Sequence, residues 1–354
     1  MQIVQQLFFA LALGLLLAGC RTAPPAPLAR YEFSEPHMGT LWRITLYAPD
    51  AATASHGVRA AFARVTALDR IMTDYDPDSE LERLRKSPFG VPFRVSDDLF
   101  AVLQRAQIFS RQTGGAFDIT VGPSVQLWRR ARRQRELPAA DRLAAARQVV
   151  GYEKLKLDPR ARTATLLVEN MRLDLGGIGK GWGADAALRI LRNLGLPRAL
   201  VAASGDLAIG DPPPGQPGWR VGIGAVDASP SALANMLMLR NAGVSTSGDA
   251  EQFVELNGVR YSHVVDPRTG LALTNHVQAT VIADCATHSE GLTKAICVLG
   301  PVEGLKVIEA DAEAAAFVIL PKTGTNEVVL KSRRFQRLEA EKKEPLVISS
   351  ARPR

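Results

Sequence analysis

The stretch Leu173-Asp-Leu-Gly-Gly-Ile-Gly-Lys-Gly-Trp-Gly-Ala-Asp185 places five glycines in eight positions around a single lysine. It constrains the chain more than any other segment, because a strand must run into a tight glycine turn and leave it as a helix over Gly181 to Asn193. Amides bared by such a turn, with a helix N-terminus behind them, can hold a phosphate, and Lys180 would add a point charge. The spacing matches neither the dinucleotide fingerprint nor a Walker loop, so on the residues alone a plain tight turn is an equally good reading.

Around this turn, strand-like runs occur at Trp42 to Ala48, Ala164 to Val168, Ala199 to Ala203, Trp219 to Gly224, Met236 to Leu239, Gln252 to Leu256, His276 to Ile282 and Ala314 to Leu320, with Asn257-Gly258 a hairpin signal. Helical periodicity runs through Ala51 to Met72, Ser96 to Gln112, Ala139 to Val150, Gly181 to Asn193 and His288 to Val298, and Leu338 to Lys343 reads as a short charged helix. Strands and helices interleave without the strict alternation of a doubly wound parallel sheet. The pattern predicts an α+β fold, mixed sheets with helices, in two intimately packed parts that border a cleft. A chain of 354 residues, 46% hydrophobic and 22% charged, has room for such a core and is neither disordered nor collagen-like.

Leu7 to Leu17 is an uncharged apolar run of signal-peptide length, too short for a comfortable membrane span. It ends in Leu17-Ala18-Gly19-Cys20, which resembles a bacterial lipobox. Residues 1–19 are therefore expected to be a lipoprotein signal peptide, with Cys20 lipidated and the protein anchored in the bacterial cell envelope, facing the periplasm or cell exterior. No Lys or Arg precedes the run, and a plain secretory signal with a chance cysteine is the alternative. Residues 20–30, rich in Ala and Pro, read as a linker, 31–330 as the folded domain and 331–354 as a charged tail. Cys285 and Cys297 fall twelve residues apart on one expected helix. About 18 Å of axial rise keeps them from pairing.

The formal charge of +7 is concentrated in Trp128-Arg-Arg-Ala-Arg-Arg-Gln-Arg135 and in the tail. Such runs are solvated surface, or a contact for anionic lipid or an acidic partner. With no nucleic-acid-binding motif and 6% aromatic residues, binding to DNA or RNA is excluded as a function class.

Two further segments carry chemistry. In Thr113-Gly-Gly-Ala-Phe-Asp-Ile-Thr-Val-Gly-Pro123 the glycines let a ligand approach the backbone and Asp118 offers an anionic acceptor; an ordinary helix-to-strand loop is the alternative. In Ser262-His-Val-Val-Asp-Pro-Arg-Thr-Gly270, His263 is the histidine suited to proton transfer, a satisfied core histidine being the alternative.

Taken together, these segments resemble in order and spacing the ApbE family of FAD:protein FMN transferases. The resemblance runs from about Glu35 to Gly300 and includes Pro36-His-Met-Gly-Thr40, Tyr75-Asp-Pro-Asp-Ser-Glu-Leu81, Ala203-Ser-Gly-Asp206 and Thr246-Ser-Gly-Asp249. It implies an enzyme that binds FAD, cleaves its pyrophosphate with Mg²⁺, joins FMN through a phosphoester bond to a Thr or Ser hydroxyl of an acceptor flavoprotein, and releases AMP. The implied acceptor is a membrane redox-complex subunit. By motif position, Met38, Tyr75, Ala116, Phe117 and Asp118 would meet the flavin or ribityl end, Asp174 and Lys180 the nucleotide and pyrophosphate, and His263 the acceptor hydroxyl.

The implied metal ligands are a backbone carbonyl near Gly177 and an Asp and a Thr one helical turn apart. Counted back from Val298-Leu-Gly300, these two positions hold Glu290 and Lys294. Glu keeps the charge, whereas Lys removes an oxygen ligand and inserts a cation. Three readings follow: Lys294 stands in for part of the metal's charge, it pairs with Glu290 at helical spacing, or transfer is lost and the protein only binds flavin. Asp284 and His288 have the same spacing and form a displaced alternative. Hydrolysis of FAD to FMN and AMP is a further reading.

Overall fold

The computed structural model describes residues 27–223, 236–248, 253–323 and 326–341. Cys20, the apolar run before it, most of the expected linker, Asp249 and the end of the tail lie outside the described residues. In chain order the strands are β1 (Ala29–His37), β2 (Thr40–Ala48), β3 (Phe93–Arg94), β4 (Leu155–Asp158), β5 (Thr163–Leu166), β6 (Ala199–Ala203), β7 (Asp206–Ile209), β8 (Trp219–Gly222), β9 (Met236–Leu239), β10 (Ala242–Ser247), β11 (Phe253–Leu256), β12 (Val259–Ser262), β13 (Gln278–Ala283), β14 (Ala315–Thr323) and β15 (Asn326–Lys331). The helices are α1 (Ala51–Met72), α2 (Glu80–Lys86), α3 (Asp97–Gln112), α4 (Gly122–Gln134), α5 (Ala140–Val149), α6 (Gly179–Asn193), α7 (Ala286–Glu309) and α8 (Arg333–Glu341).

Eight strands form one sheet in the order β1-β2-β6-β7-β10-β13-β14-β15. The α+β class holds, but the expectation of mixed sheets does not: among the described strands all pairing is antiparallel, and parallel contact is limited to the isolated bridge Val121 to Arg172. The reason is local. Neighbours that follow one another in sequence, such as β1-β2 and β6-β7, are hairpins, and a hairpin imposes antiparallel pairing. The β1-β2 loop is Met38-Gly39, with φ of 46° and 72°, the left-handed pair that a two-residue hairpin of matching twist requires. Helices α1 and α6 cover one part of this sheet through a core of Ile44, Val58, Phe62, Val65, Ala187 and Leu191, while α2, α3 and the small sheet β3-β5-β4 build a second core around Leu84, Leu99, Leu103, Phe109 and Leu166.

No strand leads into the glycine run. Arg172 makes the single bridge to Val121, and Asp174 donates its N–H to the Ile119 carbonyl at 2.7 Å. A Cβ on Gly122 would lie 2.5 Å from the Arg172 carbonyl oxygen, so the two backbones meet where a side chain would hold them apart. Beyond the turn, Gly181 lets α6 touch α7, since a Cβ there would stand 2.5 Å from the Ala286 carbonyl oxygen. Cys285 gives α7 no side-chain cap; the Asp185 carboxylate of α6 does this instead, accepting N–H bonds from Ala286 at 2.9 Å and Thr287 at 2.8 Å. The last residue of the glycine motif thus locks together the two helices that carry Lys180 and Glu290.

Helix α7 is longer than expected and breaks at Gly300, whose φ of 78° and following Pro301 end one helical segment and start the next. Two boundaries are corrected. β1 begins at Ala29, so the last residues given to the linker are strand. The tail is not all tail: α8 inserts Phe335, fully buried, against Phe317. The arginine run lies on α4 and its C-cap: Arg130, Arg133 and Arg135 are exposed, as a solvated surface requires, while Trp128 and Ala131 are buried.

Candidate functional site

A cavity of about 870 Å³ is lined by residues from the β1-β2 loop, the end of α1, the α3-α4 loop, α4, the glycine turn, the segment after β12 and α7. Met38, Tyr75, Ala116, Phe117, Asp118, Asp174, Gly177, Lys180 and His263 all line it. Glu290 does not; it is fully buried beside the glycine turn. A second cavity of about 710 Å³, bounded by Arg105, Asp185, Arg189 and Cys285, gathers none of the residues expected to meet the dinucleotide and, of the displaced alternative, Asp284 but not His288.

Asp118 owes its place to the turn after α3, where Gly114 and Gly115 take φ of 58° and 79° and the Thr113 hydroxyl accepts the Phe117 N–H at 3.0 Å. Its Oδ1 accepts from the N–H and hydroxyl of Thr120, both at 2.8 Å. Burial pushes this carboxyl up to about 6, against the partial opposition of the Thr120 bonds. The folded chain therefore holds the proton more tightly than the unfolded chain, whose value is 3.8, and stability falls as pH rises between the two. Asp118→Asn is expected to flatten that slope and to raise the unfolding free energy at pH 7 by about 1–3 kcal/mol, read by urea denaturation from pH 4 to 7. An unchanged slope contradicts the assignment.

Arg129 was not singled out by the sequence reading. Its Nη2 bonds Asp174 Oδ2 at 2.7 Å, its Nη1 bonds Asp74, and its guanidinium lies 4.8 Å from the centre of the Tyr75 ring. Burial drives the Asp174 carboxyl upward and Arg129 opposes it. Tyr75 is 76% exposed, an aromatic face held open by this contact. The missed signal was helical spacing: Val125, Arg129 and Arg132 recur at i, i+4 and i+7, and all three line the cavity.

Lys180, in the first turn of α6, reaches Asp206 Oδ2 at 2.8 Å and Glu290 Oε1 at 2.9 Å. Glu290 Oε2 accepts the Gly181 N–H at 2.8 Å, and Asp206 also accepts from the Ser245 hydroxyl. Burial works against the charge on Lys180, but Asp206 and Glu290 overcome it and hold the ammonium well above the usual lysine value. Burial likewise raises the Glu290 carboxyl, with Lys180 the main opposing influence. Asp206 stood in a quoted motif without a role; the partner that gives it one is on another element.

Lys294 donates to the Ser247 hydroxyl, and its Cγ lies 3.4 Å from the point that a Cβ on Gly177 would occupy. This decides how well the place suits magnesium, which takes near-octahedral oxygen ligands. Both oxygens of Glu290 are engaged, the second expected oxygen ligand is an ammonium with no lone pair, and Lys180 is already in contact. Residues Gly177, Glu290 and Lys294 therefore do not fit the ion. Among the described residues no three His, Cys, Asp or Glu side chains come together to hold a metal. The displaced alternative fares no better: the His288 ring uses Nδ1 on Asp284 at 2.7 Å and Nε2 on Asp311 at 2.8 Å, stacked on Phe109.

His263 is half-buried at the cavity wall, and the backbone on both sides of it is pinned. Ser262 N–H donates to the Leu273 carbonyl at 2.8 Å, Leu273 N–H to the Val264 carbonyl at 2.9 Å, and Asp266 closes the following turn by accepting from Arg268. Trp128 Nε1 ties this turn to α4 through the Gly270 carbonyl at 3.0 Å.

A large antiparallel sheet and its covering helices thus bring a glycine turn and a pinned histidine to one cavity, with Lys180, Asp206 and Glu290 joined beside the turn, in an α+β protein. The model of the ApbE family matches residues 38–318, and the chain belongs to that family. It is 33% identical to the FAD:protein FMN transferase of Salmonella typhimurium, covering 88% of this chain and 91% of the relative. It is 30% identical to the enzyme of the same name from Vibrio cholerae, covering 91% and 96%. Among solved structures, a histidine-to-glycine variant of the flavin transferase ApbE from Vibrio cholerae superposes with a TM-score of 0.79 at 28% identity, over 88% of this chain and 99% of that one. The apo flavinyl transferase ApbE of Pseudomonas stutzeri gives 0.77 at 30% identity, over 89% and 98%.

Proposed function

We propose that this chain transfers the FMN half of FAD to a Thr or Ser hydroxyl of an acceptor flavoprotein, releasing AMP. The observation that carries the reading is that residues from six of the segments matched to family motifs, at Met38, Tyr75, Ala116 to Asp118, Asp174 to Lys180, Ser204 and His263, line one cavity large enough for a dinucleotide. Tyr75, Met38 and Phe117 offer apolar and aromatic faces to an isoalloxazine ring, and Asp118 a hydrogen-bond acceptor to the ribityl chain. The amides of the Gly176-Gly177 turn and Lys294 face the diphosphate, with Lys180 behind them. In the transfer, the acceptor oxygen attacks the phosphorus on the FMN side and its proton passes to the His263 imidazole. The bond from that phosphorus to the bridging oxygen breaks, and AMP leaves with the electron pair. Magnesium, which the resemblance implies, finds no fitting ligand set at Gly177 and Glu290, and the charge opposing attack is left to the protein's own cations.

The proposed setting is the bacterial envelope, with Cys20 as lipid anchor and a membrane redox-complex subunit as acceptor. A second reading, a flavin-binding lipoprotein without catalysis, draws its support from the closed Glu290-Lys180 pair and from Lys294. Incubation of the protein lacking residues 1–20 with FAD and an acceptor domain separates them. Flavin fluorescence on the acceptor band after denaturing electrophoresis supports transfer; AMP without labelled acceptor means hydrolysis; FAD recovered intact means binding alone.

A further inference from the structure

The buried charges beside the glycine turn do not balance until Lys294 is counted. Lys180 is shared by two carboxylates, those of Asp206 and Glu290, which are themselves almost wholly buried. That group alone carries a net negative charge and would repel a diphosphate. Lys294 approaches from α7 and, among the described residues, its hydrogen-bond partner is the neutral hydroxyl of Ser247. It is half-buried and lines the cavity together with Gly176, Gly177 and Gly179; its charge helps to hold down the Glu290 carboxyl, but among the described residues no carboxylate bonds its amine, which faces the cavity. On the other wall Arg129 is already committed to Asp74 and Asp174.

Resting on the flavin-dinucleotide reading above, we propose that Lys294 does the work of a divalent cation: its ammonium, beside the Gly176-Gly177 turn, neutralises the diphosphate, and the protein binds its dinucleotide without a metal. A lysine is a point charge that moves with its stem and needs no octahedral shell, so it can follow a phosphate where a six-coordinate ion cannot be built. It also neutralises only one charge where a divalent ion neutralises two, and the amides of the turn and the start of α6, which has no acidic residue in its first turn, supply the remainder. Ser247 sets the position from which the amine reaches, and the lysine stem runs past the glycine turn, its Cγ 3.4 Å from the point that a Cβ on Gly177 would occupy.

The test is FAD binding by the full chain, followed by flavin fluorescence in EDTA and in Mg²⁺, beside Mn²⁺ binding followed by electron paramagnetic resonance. The wild type is expected to bind FAD in EDTA, with an affinity that Mg²⁺ changes by less than about twofold, and to immobilise no Mn²⁺ in the presence of FAD. Lys294→Thr is expected to weaken binding in EDTA by about tenfold to a hundredfold, the usual cost of a lost charged contact. In the double variant Glu290→Asp with Lys294→Thr, Mg²⁺ restores the affinity and Mn²⁺ is bound. Lys294→Arg, which keeps the charge, serves if the threonine variant does not fold, and is expected to remain indifferent to EDTA. Loss of wild-type FAD binding in EDTA with recovery in Mg²⁺, or wild-type affinity in Lys294→Thr, overturns the proposal. FMN transfer followed in the same samples separates the two levels. Metal-independent binding with no transfer leaves the inference standing and removes the transferase reading, while transfer that requires Mg²⁺ removes the inference alone.

Discussion

Lys180→Met is expected to lower the unfolding free energy by about 3–5 kcal/mol, because it strands two buried carboxylates without their shared cation. Glu290 is wholly buried and Asp206 nearly so, and each is within 2.9 Å of the Lys180 amine. Methionine matches the stem and keeps the packing, so the loss measures charge rather than volume. The damage falls on the joint between α6 and α7, which meet where Gly181 and Ala286 touch and where Glu290 accepts the Gly181 N–H. Adding Glu290→Gln to Lys180→Met is expected to recover part of the loss, since the amide buries no charge and its oxygen still accepts that N–H. Urea denaturation of the two variants at pH 7 checks both statements. A Lys180→Met loss below about 1 kcal/mol contradicts the account, for it would mean the group carries no buried charge.

His263→Ala is expected to slow FMN transfer by about 100- to 10,000-fold, the range over which a positioned base assists a hydroxyl nucleophile. FAD affinity is expected to change little, because the histidine is assigned to the acceptor's proton and not to the dinucleotide. The pinned backbone at Ser262, Val264 and Leu273 keeps the truncated side chain from collapsing the turn. Stopped-time assays of acceptor labelling, paired with FAD titrations, check this: a parallel fall in affinity and rate moves His263 from proton transfer to binding.

What could be read from the residues was what local rules decide. The glycine run announces its turn because closely spaced glycines and a following helical period are visible in one window, and the cysteines of α7 announce their separation by spacing alone. Strand β1 was hidden by its own surface: Arg30, Glu32, Glu35 and Pro36 suit an exposed sheet edge and hide the alternation. Strands β7 and β10 are short and carry Gly, Ser, Thr and Asp, residues that read as turn until a sheet surrounds them. The Lys180, Asp206 and Glu290 group could not be assembled from spacing, because its members stand on α6, β7 and α7 and their meeting is set by tertiary packing. Arg129 was lost among like neighbours, although Pro123 near the start of α4 and the spacing of Val125, Arg129 and Arg132 were there to be used. The register that set Lys294 at a metal-ligand position was legible, and its physical consequence became clear only with Ser247 and Gly177 beside it.

Transfer of the FMN half of FAD from this cavity to another protein is read out by intact mass spectrometry of an acceptor domain after incubation with the protein and FAD. The acceptor is expected to gain the mass of FMN less one water, on a Thr or Ser, with one AMP released for each group attached. An acceptor of unchanged mass, with FAD either intact or split to free FMN and AMP, contradicts it.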